Sequence, residues 1–321
     1  VSGPHPSTAT IRYAVRSTLA DLAPGDVVLV ACSGGGDSMA LAEAVAHEQR
    51  HASWRGGAVV VDHGLQPGSD DVAARAAGWL RDLGLDPVLV ERVTVSDTGS
   101  GLEAAARDGR HAALDAVAER VGAAVVLLGH TLDDQAEQVL LGLVRGSGAR
   151  SLAGMPAARD RVRRPLLGVT RAQCRESCEA EGVPWWDDPM NDDPAFTRVR
   201  ARRAVADLEA DLGPGVAASL ARSADQLRED ADLLDALADS AVRELGPGPW
   251  AAADLMALPR PVRTRVWRRL LVAAGAPAGQ VGTRHTEACD ALLTRWRGQG
   301  PLHLPGDLRA VRAGGTVTLS H

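Results

Sequence analysis

Six consecutive residues, Ser33-Gly34-Gly35-Gly36-Asp37-Ser38, carry the strongest chemical signal in the chain. They follow the apolar run Val27-Val28-Leu29-Val30 and precede a helix-forming run that begins at Met39. Strand, glycine turn and helix in that order bring backbone N–H groups close to a ligand and aim a helix dipole at it, which suits a phosphate. Asp37 and Ser38 open the helix, where they can cap it or hold Mg²⁺ and a phosphate oxygen. Taken alone, the cluster is as readily a plain turn. The phosphate loop Gly-x-x-x-x-Gly-Lys-Ser/Thr requires a lysine, and all 35 basic side chains here are arginine, so a Walker-type NTPase is excluded. The dinucleotide fingerprint fails too, because positions 34–39 read Gly-Gly-Gly-Asp-Ser-Met. A second cluster comprises Thr131, Asp133, Asp134 and Glu137. Thr131 and Asp134 have capping-box spacing, and acids in a first helical turn suit the dipole, so taken alone the set is as readily a helix cap as a ligand site. Beside a phosphate pocket, carboxylates would repel the phosphate unless they held Mg²⁺ or a cationic substrate.

Alternating strand and helix patterns must position these residues. Strands are predicted at 27–30, 58–61, 87–93 and 124–128, with helices over 7–22, 39–47, 69–83 and 101–121. Strands this apolar, alternating with helices, predict a parallel sheet covered on both faces, whose ligands bind beyond the strands' carboxyl ends. The glycine loop, Asp62-His63-Gly64 and Gly129 to Glu137 all follow strands in that way. A short strand or extended segment is expected at 163–167, and Thr170 with Gln173 forms a capping box for a helix ending near Gly182. An acidic loop, Pro184 to Asp193, precedes Arg198, Arg200, Arg202 and Arg203. Within it, Trp185 and Trp186 suit packing against the sheet better than stacking on a base. An Ala/Leu/Asp-rich helix over 216–244 ends at Gly246-Pro247-Gly248-Pro249. The domain reading is therefore 1–213, a linker helix at 214–246, and a small α+β module at 247–321 whose first helix carries Arg260, Arg263, Arg265, Arg268 and Arg269.

Composition narrows the function classes. A net charge of −6 argues against bulk coating of nucleic acid, though clustered arginines still allow a local basic face. Cys32, Cys174, Cys178 and Cys289 form no Cys-x-x-Cys pair, which makes disulfide scaffolding and structural zinc unsuitable readings. Cys174 and Cys178 share a helix face as small buried hydrophobes. No apolar run is long enough for a membrane span and no signal-peptide core appears, so a cytoplasmic, reduced location is expected.

The glycine stretch resembles the PP-loop of ATP pyrophosphatases, which split ATP between its α and β phosphates. In order along the chain come Asp62-His63-Gly64-Leu65, Glu103 to Arg107, Asp133-Asp134-Gln135-Ala136-Glu137, Arg145-Gly146-Ser147-Gly148, Gly154-Met155, Arg164-Pro165-Leu166-Leu167 and Trp186-x-Asp188-x-x-Asn191. Together these resemble the tRNA(Ile)-lysidine synthase family over about residues 25–205. Gln66, His111, Gln138, Val199 and the Gly129-His130-Thr131 segment depart from the usual family pattern.

The resemblance implies a PP-loop α/β catalytic domain with a smaller tRNA-contacting domain. It implies ATP-dependent ligation of free lysine to C2 of the wobble cytidine of a CAU-anticodon isoleucine tRNA, through an O2-adenylated intermediate. ATP and Mg²⁺ are the implied cofactors; tRNA and L-lysine are the partners, with no membrane and with a homodimer as an admissible assembly. Ser33, Gly34, Gly35, Gly36, Asp37, Ser38, Asp62 and His63 would bind the nucleotide, and Asp37 and Asp134 the metal. Asp37, Arg107, Asp133, Asp134 and Glu137 would carry the chemistry, and Arg198, Arg200, Arg202, Arg203, Arg265 and Arg268 would contact tRNA. Which carboxylate meets lysine and which Mg²⁺ is open at this point. A thiolase or amidating enzyme of the same superfamily, and a nucleotide sensor without chemistry, are the competing readings. The first would need paired cysteines or a glutaminase, and the second would not need Asp37 together with the later acids.

Overall fold

The computed structural model describes residues 3–62, 64, 68–93, 102–146 and 148–321, with the side chains of 102–108, 191 and 192 left aside. His63 and Gln66 therefore lie outside the described residues, as does the side chain of Arg107. The chain forms two compact units, Val1–Asp225 and Gln226–His321.

The first unit opens with α1 (Pro6–Thr18), β1 (Val27–Cys32), α2 (Gly36–Glu48), β2 (Arg55–Asp62), α3 (Ser69–Asp82) and β3 (Val88–Arg92). It continues through α4 (Leu102–Val121), β4 (Ala123–Leu128), α5 (Leu132–Val144), the single turn α6 (Ala149–Leu152), and the short strands β5 (Ala158–Arg159) and β6 (Val162–Arg163). A 3₁₀ turn at Pro165–Gly168 leads to α7 (Arg171–Glu181), α8 (Thr197–Leu212) and α9 (Val216–Leu245). The strand order is β3-β2-β1-β4-β6-β5, parallel throughout except for β5. The parallel sheet read from the sequence is thus present. Of the segment expected at 163–167, only Arg163 is in a strand, because Pro165 supplies no N–H to a ladder and starts the 3₁₀ turn instead.

Alternate residues of β1 serve opposite faces. Val28 and Val30 pack into a cluster with Ile11, Leu41 and Leu80, whereas Val27 and Leu29 pack with Leu114, Val117 and Ala118 of α4. Both faces are apolar because both are covered, which is why the strands read as continuous hydrophobic runs. Cys174 and Cys178 are fully buried in the first cluster. The chain leaves β1 on one side toward β2 and reaches β4 on the other, so the adjoining ends of β1 and β4, paired through Ala31 and Leu128, form the switch point where such sheets bind ligands.

The second unit contains the second half of α9, then β7 (Trp250–Ala251), α10 (Ala252–Ala257), α11 (Arg260–Ala273), α12 (Thr283–Thr294), β8 (Leu302–His303), β9 (Arg309–Ala313) and β10 (Thr316–Ser320). Its antiparallel sheet runs β7-β10-β9-β8. Ala238, Ala241, Val242 and Leu245 of α9 join its core around the fully buried Trp267, so the helix read as a linker contributes directly to this unit.

Candidate active site

The glycine loop runs from Ser33 to Gly35 between β1 and α2. Gly34 has φ +82°, a left-handed conformation that disfavours any side chain, and a Cβ there would lie 3.1 Å from the Ala76 methyl. Ser38, 7% exposed, turns its hydroxyl into the loop, donating to the Gly35 carbonyl at 2.9 Å and receiving the Ser33 N–H at 3.2 Å. The N-cap residue Gly35 has no side chain to occupy the first-turn N–H groups of α2, so these remain to receive an oxyanion. The Trp186 N–H donates to the Gly34 carbonyl at 2.8 Å, and the Arg75 guanidinium stands 5.9 Å from the Trp186 ring centre. The tryptophan segment is therefore packed onto the glycine loop.

The end of β4 closes on the start of α2. A Cβ on Gly129 would come within 3.2 Å of the Asp37 carbonyl and the Ser38 backbone, so a larger residue would press the end of β4 away from α2. Thr131 then caps α5 in a complete capping box with Asp134. The capping and ligand readings of Asp134 coexist: Oδ2 receives the Thr131 N–H at 2.8 Å, while Oδ1 faces a guanidinium.

That guanidinium belongs to Arg171, the first residue of α7. Its backbone N–H donates to Asp133 Oδ2 at 2.8 Å. Its Nε reaches Asp37 Oδ2 at 3.3 Å, and its Nη2 lies 3.1 Å from Asp134 Oδ1 and 3.5 Å from Glu137 Oε1. Arg202 adds a second cation, with Nε 2.8 Å from the same Glu137 oxygen. Asp37 Oδ1 and Glu137 Oε2 are nonetheless buried without a hydrogen-bond partner. Burial pushes the Asp37 carboxyl up to about 6 against the opposing pull of Arg171, and burial likewise raises Glu137, which is 3% exposed. His130, at the end of β4, is lowered to about 4 chiefly by burial, with Arg164, Arg110 and Arg198 adding to the effect against Asp134. Its Nδ1 accepts from Arg164 Nε at 3.2 Å, which places the proton of the neutral ring on Nε2.

The structure thus brings Asp37, Asp133, Asp134 and Glu137 together beside the glycine loop. Asp62 closes a turn at the end of β2, where Oδ1 receives the Gly64 N–H at 2.9 Å. Of the arginines read as tRNA contacts, Arg202 pairs with Glu137, and Arg200 binds the carbonyls of Pro194 and Ala195 at 2.6 and 2.9 Å. Arg198 is half-buried on α8 and Arg203 is exposed there. In the second unit Arg265 lies 3.2 Å from Asp235, and Arg268 donates to the carbonyls of Val281 and Ala278. Val199, a departure from the family pattern, is buried on α8. The sequence reading missed Arg171 altogether, although its place directly after the Thr170 cap was visible. It also gave no role to His130 or to Gln135, whose amide receives the Met155 N–H at 2.6 Å and donates to the Met155 carbonyl at 2.9 Å, tying the Gly154-Met155 motif to α5.

Fold and site define a PP-loop enzyme: the family model described as a PP-loop domain matches residues 8–209, and that described as a TilS substrate binding domain matches residues 251–318. A tRNA(Ile)-lysidine synthase from Thermobifida fusca is 52% identical, covering 100% of this chain and 99% of the relative. One from Streptomyces coelicolor is 51% identical over 99% of both chains. The chain belongs to the tRNA(Ile)-lysidine synthase family. Among solved structures, a U34-tRNA thiolase from Methanococcus maripaludis with its 4Fe-4S cluster shares the fold at a TM-score of 0.59 and 18% identity, covering 70% of this chain and 80% of that one.

Proposed function

We infer that this chain is an AMP-forming ligase that joins free lysine to the wobble cytidine of an isoleucine tRNA with a CAU anticodon. What carries the reading is that the glycine loop and the separate acidic motif meet at one sheet end, in a chain about half identical over its full length to tRNA(Ile)-lysidine synthases. Cytosine O2 attacks the α phosphate of ATP and pyrophosphate leaves. The lysine ε-amine then adds at C2, its proton is lost, and the C2–O2 bond breaks to release AMP. Adenylation is needed because O2 is otherwise a poor leaving group. The N–H groups opening α2, with Ser33, Gly34, Gly35, Gly36 and Ser38, would meet the phosphates and the charge developing there; the free first turn of α2 supports this. Asp62, His63 and Arg107 belong to the same reading as nucleotide or adenylate contacts.

Mg²⁺ fits Asp37, whose Oδ1 is a buried carboxylate oxygen without a partner; Asp134, read from the sequence as the second metal ligand, instead turns Oδ2 to the Thr131 N–H and Oδ1 to the cation position. Mg²⁺ takes one or two carboxylates and fills the rest of its shell with phosphate and water. When bound, the ion would offset phosphate charge. Asp134 and Glu137 are the carboxylates for the lysine ammonium, while Asp133 is spent on the α7 backbone. Arg198, Arg200, Arg202, Arg203, Arg265 and Arg268 remain the proposed tRNA contacts. A cytoplasmic location completes the reading; among the described residues no helix is long and apolar enough to cross a membrane. A sulfur-transfer reading fits less well, because Cys32, Cys174 and Cys178 are buried and burial raises all three thiols.

The test incubates the protein with CAU-anticodon isoleucine tRNA transcript, ATP, Mg²⁺ and lysine, then digests the tRNA and weighs the wobble nucleoside. A cytidine heavier by lysine less water supports the ligase. An unmodified or sulfur-bearing nucleoside contradicts it.

A further inference from the structure

A single nitrogen, Arg171 Nη2, reaches both Asp134 Oδ1 at 3.1 Å and Glu137 Oε1 at 3.5 Å. That is the arrangement a primary ammonium would use, with one cationic nitrogen shared by carboxylates one helical turn apart on α5. The Arg171 side chain is only 20% exposed, so its attraction to these groups is weakly screened, and an arriving cation meets an occupied position rather than an empty one. The buried Arg263–Asp290 pair differs: there the guanidinium also donates to the carbonyls of Leu258 and Met256, which fixes it from several sides. Among the described residues, the Arg171 guanidinium meets the carboxylates of Asp37, Asp134 and Glu137 and no carbonyl.

We propose that the Arg171 guanidinium and an ammonium group of the lysine substrate compete for one position between Asp134 and Glu137, so that lysine binds by exchange with Arg171. The proposal rests on the ligase reading for the identity of the ammonium. A guanidinium holding that position lowers the apparent affinity for lysine by the fraction of time the position is open. Arg171 is accordingly a specificity-determining residue: a ligand without a cationic nitrogen cannot release the carboxylates it holds.

Lysine binding to the wild type, Arg171→Gln and Arg171→Lys is measured by calorimetry, with norleucine and 6-aminohexanoate as arms carrying only the α- or only the ε-ammonium. The lysine KM for tRNA modification is measured alongside. Arg171→Gln is expected to bind lysine about 3- to 10-fold more tightly, and to lower KM by a similar factor, whereas Arg171→Lys, which keeps a competing cation, stays within about twofold of wild type. The arm that follows lysine identifies the ammonium concerned. Unchanged or weaker lysine binding in Arg171→Gln overturns the exchange. Should that variant not fold, a structure of the wild type with lysine decides: an ammonium between Asp134 and Glu137 with Arg171 withdrawn supports the proposal, and Arg171 still on both carboxylates overturns it. Tighter binding in Arg171→Gln, with no lysine entering the tRNA even with the wild type, would fail the ligase reading and leave the exchange standing.

Discussion

Two groupings of arginine and acid in this molecule look alike in composition and differ in their arithmetic. In the second unit, Arg263 and Asp290 are both buried, and the guanidinium spends its donors on both carboxylate oxygens and on two backbone carbonyls. In the first unit, Arg171 is shared among Asp37, Asp134 and Glu137, Arg202 also meets Glu137, and two buried carboxylate oxygens still remain without partners. The first pairing is saturated and its work is structural. The second is over-subscribed with negative charge, an arrangement that folding alone does not favour but that a cationic ligand would complete.

The sharpest way to break this contrast is to remove one acid from each grouping. Asp37→Asn should lower tRNA-dependent lysine incorporation by about 10³-fold, an effect of the size seen when a group serving developing charge is lost; steady-state incorporation of labelled lysine measures it. Asp290→Ala should instead destabilise the protein by about 3–5 kcal/mol in urea unfolding, because a buried guanidinium loses its carboxylate.

Proton linkage sharpens the comparison further. The Asp37 carboxyl rises from 3.8 to about 6 on folding, mainly through burial. Below pH ~4 it is neutral in both states and contributes no difference; its ionisation penalty grows with pH and is complete above about 6. Asp37→Asn should therefore stabilise the fold by on the order of 3 kcal/mol at pH 7, with the gain fading as pH falls from about 6 to about 4, as thermal melts across pH would record. The variant expected to lose most of the chemistry is thus expected to gain stability. The smallest effect is expected at Gln135, which is 2% exposed and clamps Met155. Gln135→Ala should cost about 1–3 kcal/mol in unfolding through the orphaned Met155 groups.

Much of the scaffold was legible because both faces of the parallel sheet are covered, so β1, β2 and β4 read as unbroken apolar runs, and because Thr131 and Thr170 carry complete capping boxes. The glycine loop and acidic cluster were legible as separate motifs. Their convergence was legible as well, because each follows a strand of a parallel sheet; how tightly they meet was not, since that depends on the close approach of Gly129 to α2, a tertiary fact with no local signature. Arg171 was illegible for the same reason: its guanidinium partners are supplied by α2 and α5, whereas its own neighbours in sequence signal only a helix start. The arginine run of α11 shows the converse. Its spacing suggested a basic face, but Arg263 pairs with Asp290, Arg265 and Arg269 reach Asp235, Arg269 also holds Asp239, and Arg268 binds carbonyls, so much of that charge is already engaged within the unit.

The most direct test of the central claim, that the acidic site beside the glycine loop performs an AMP-forming ligation in two steps, is a product account with and without lysine. With tRNA and ATP alone, pyrophosphate release should reach an amount equimolar with active sites and stop with AMP retained on the tRNA. Adding lysine should then release AMP in equal amount to the lysine incorporated, and Asp37→Asn should lose both phases. Free AMP appearing at full rate without lysine, or pyrophosphate release untouched by Asp37→Asn, would contradict the account.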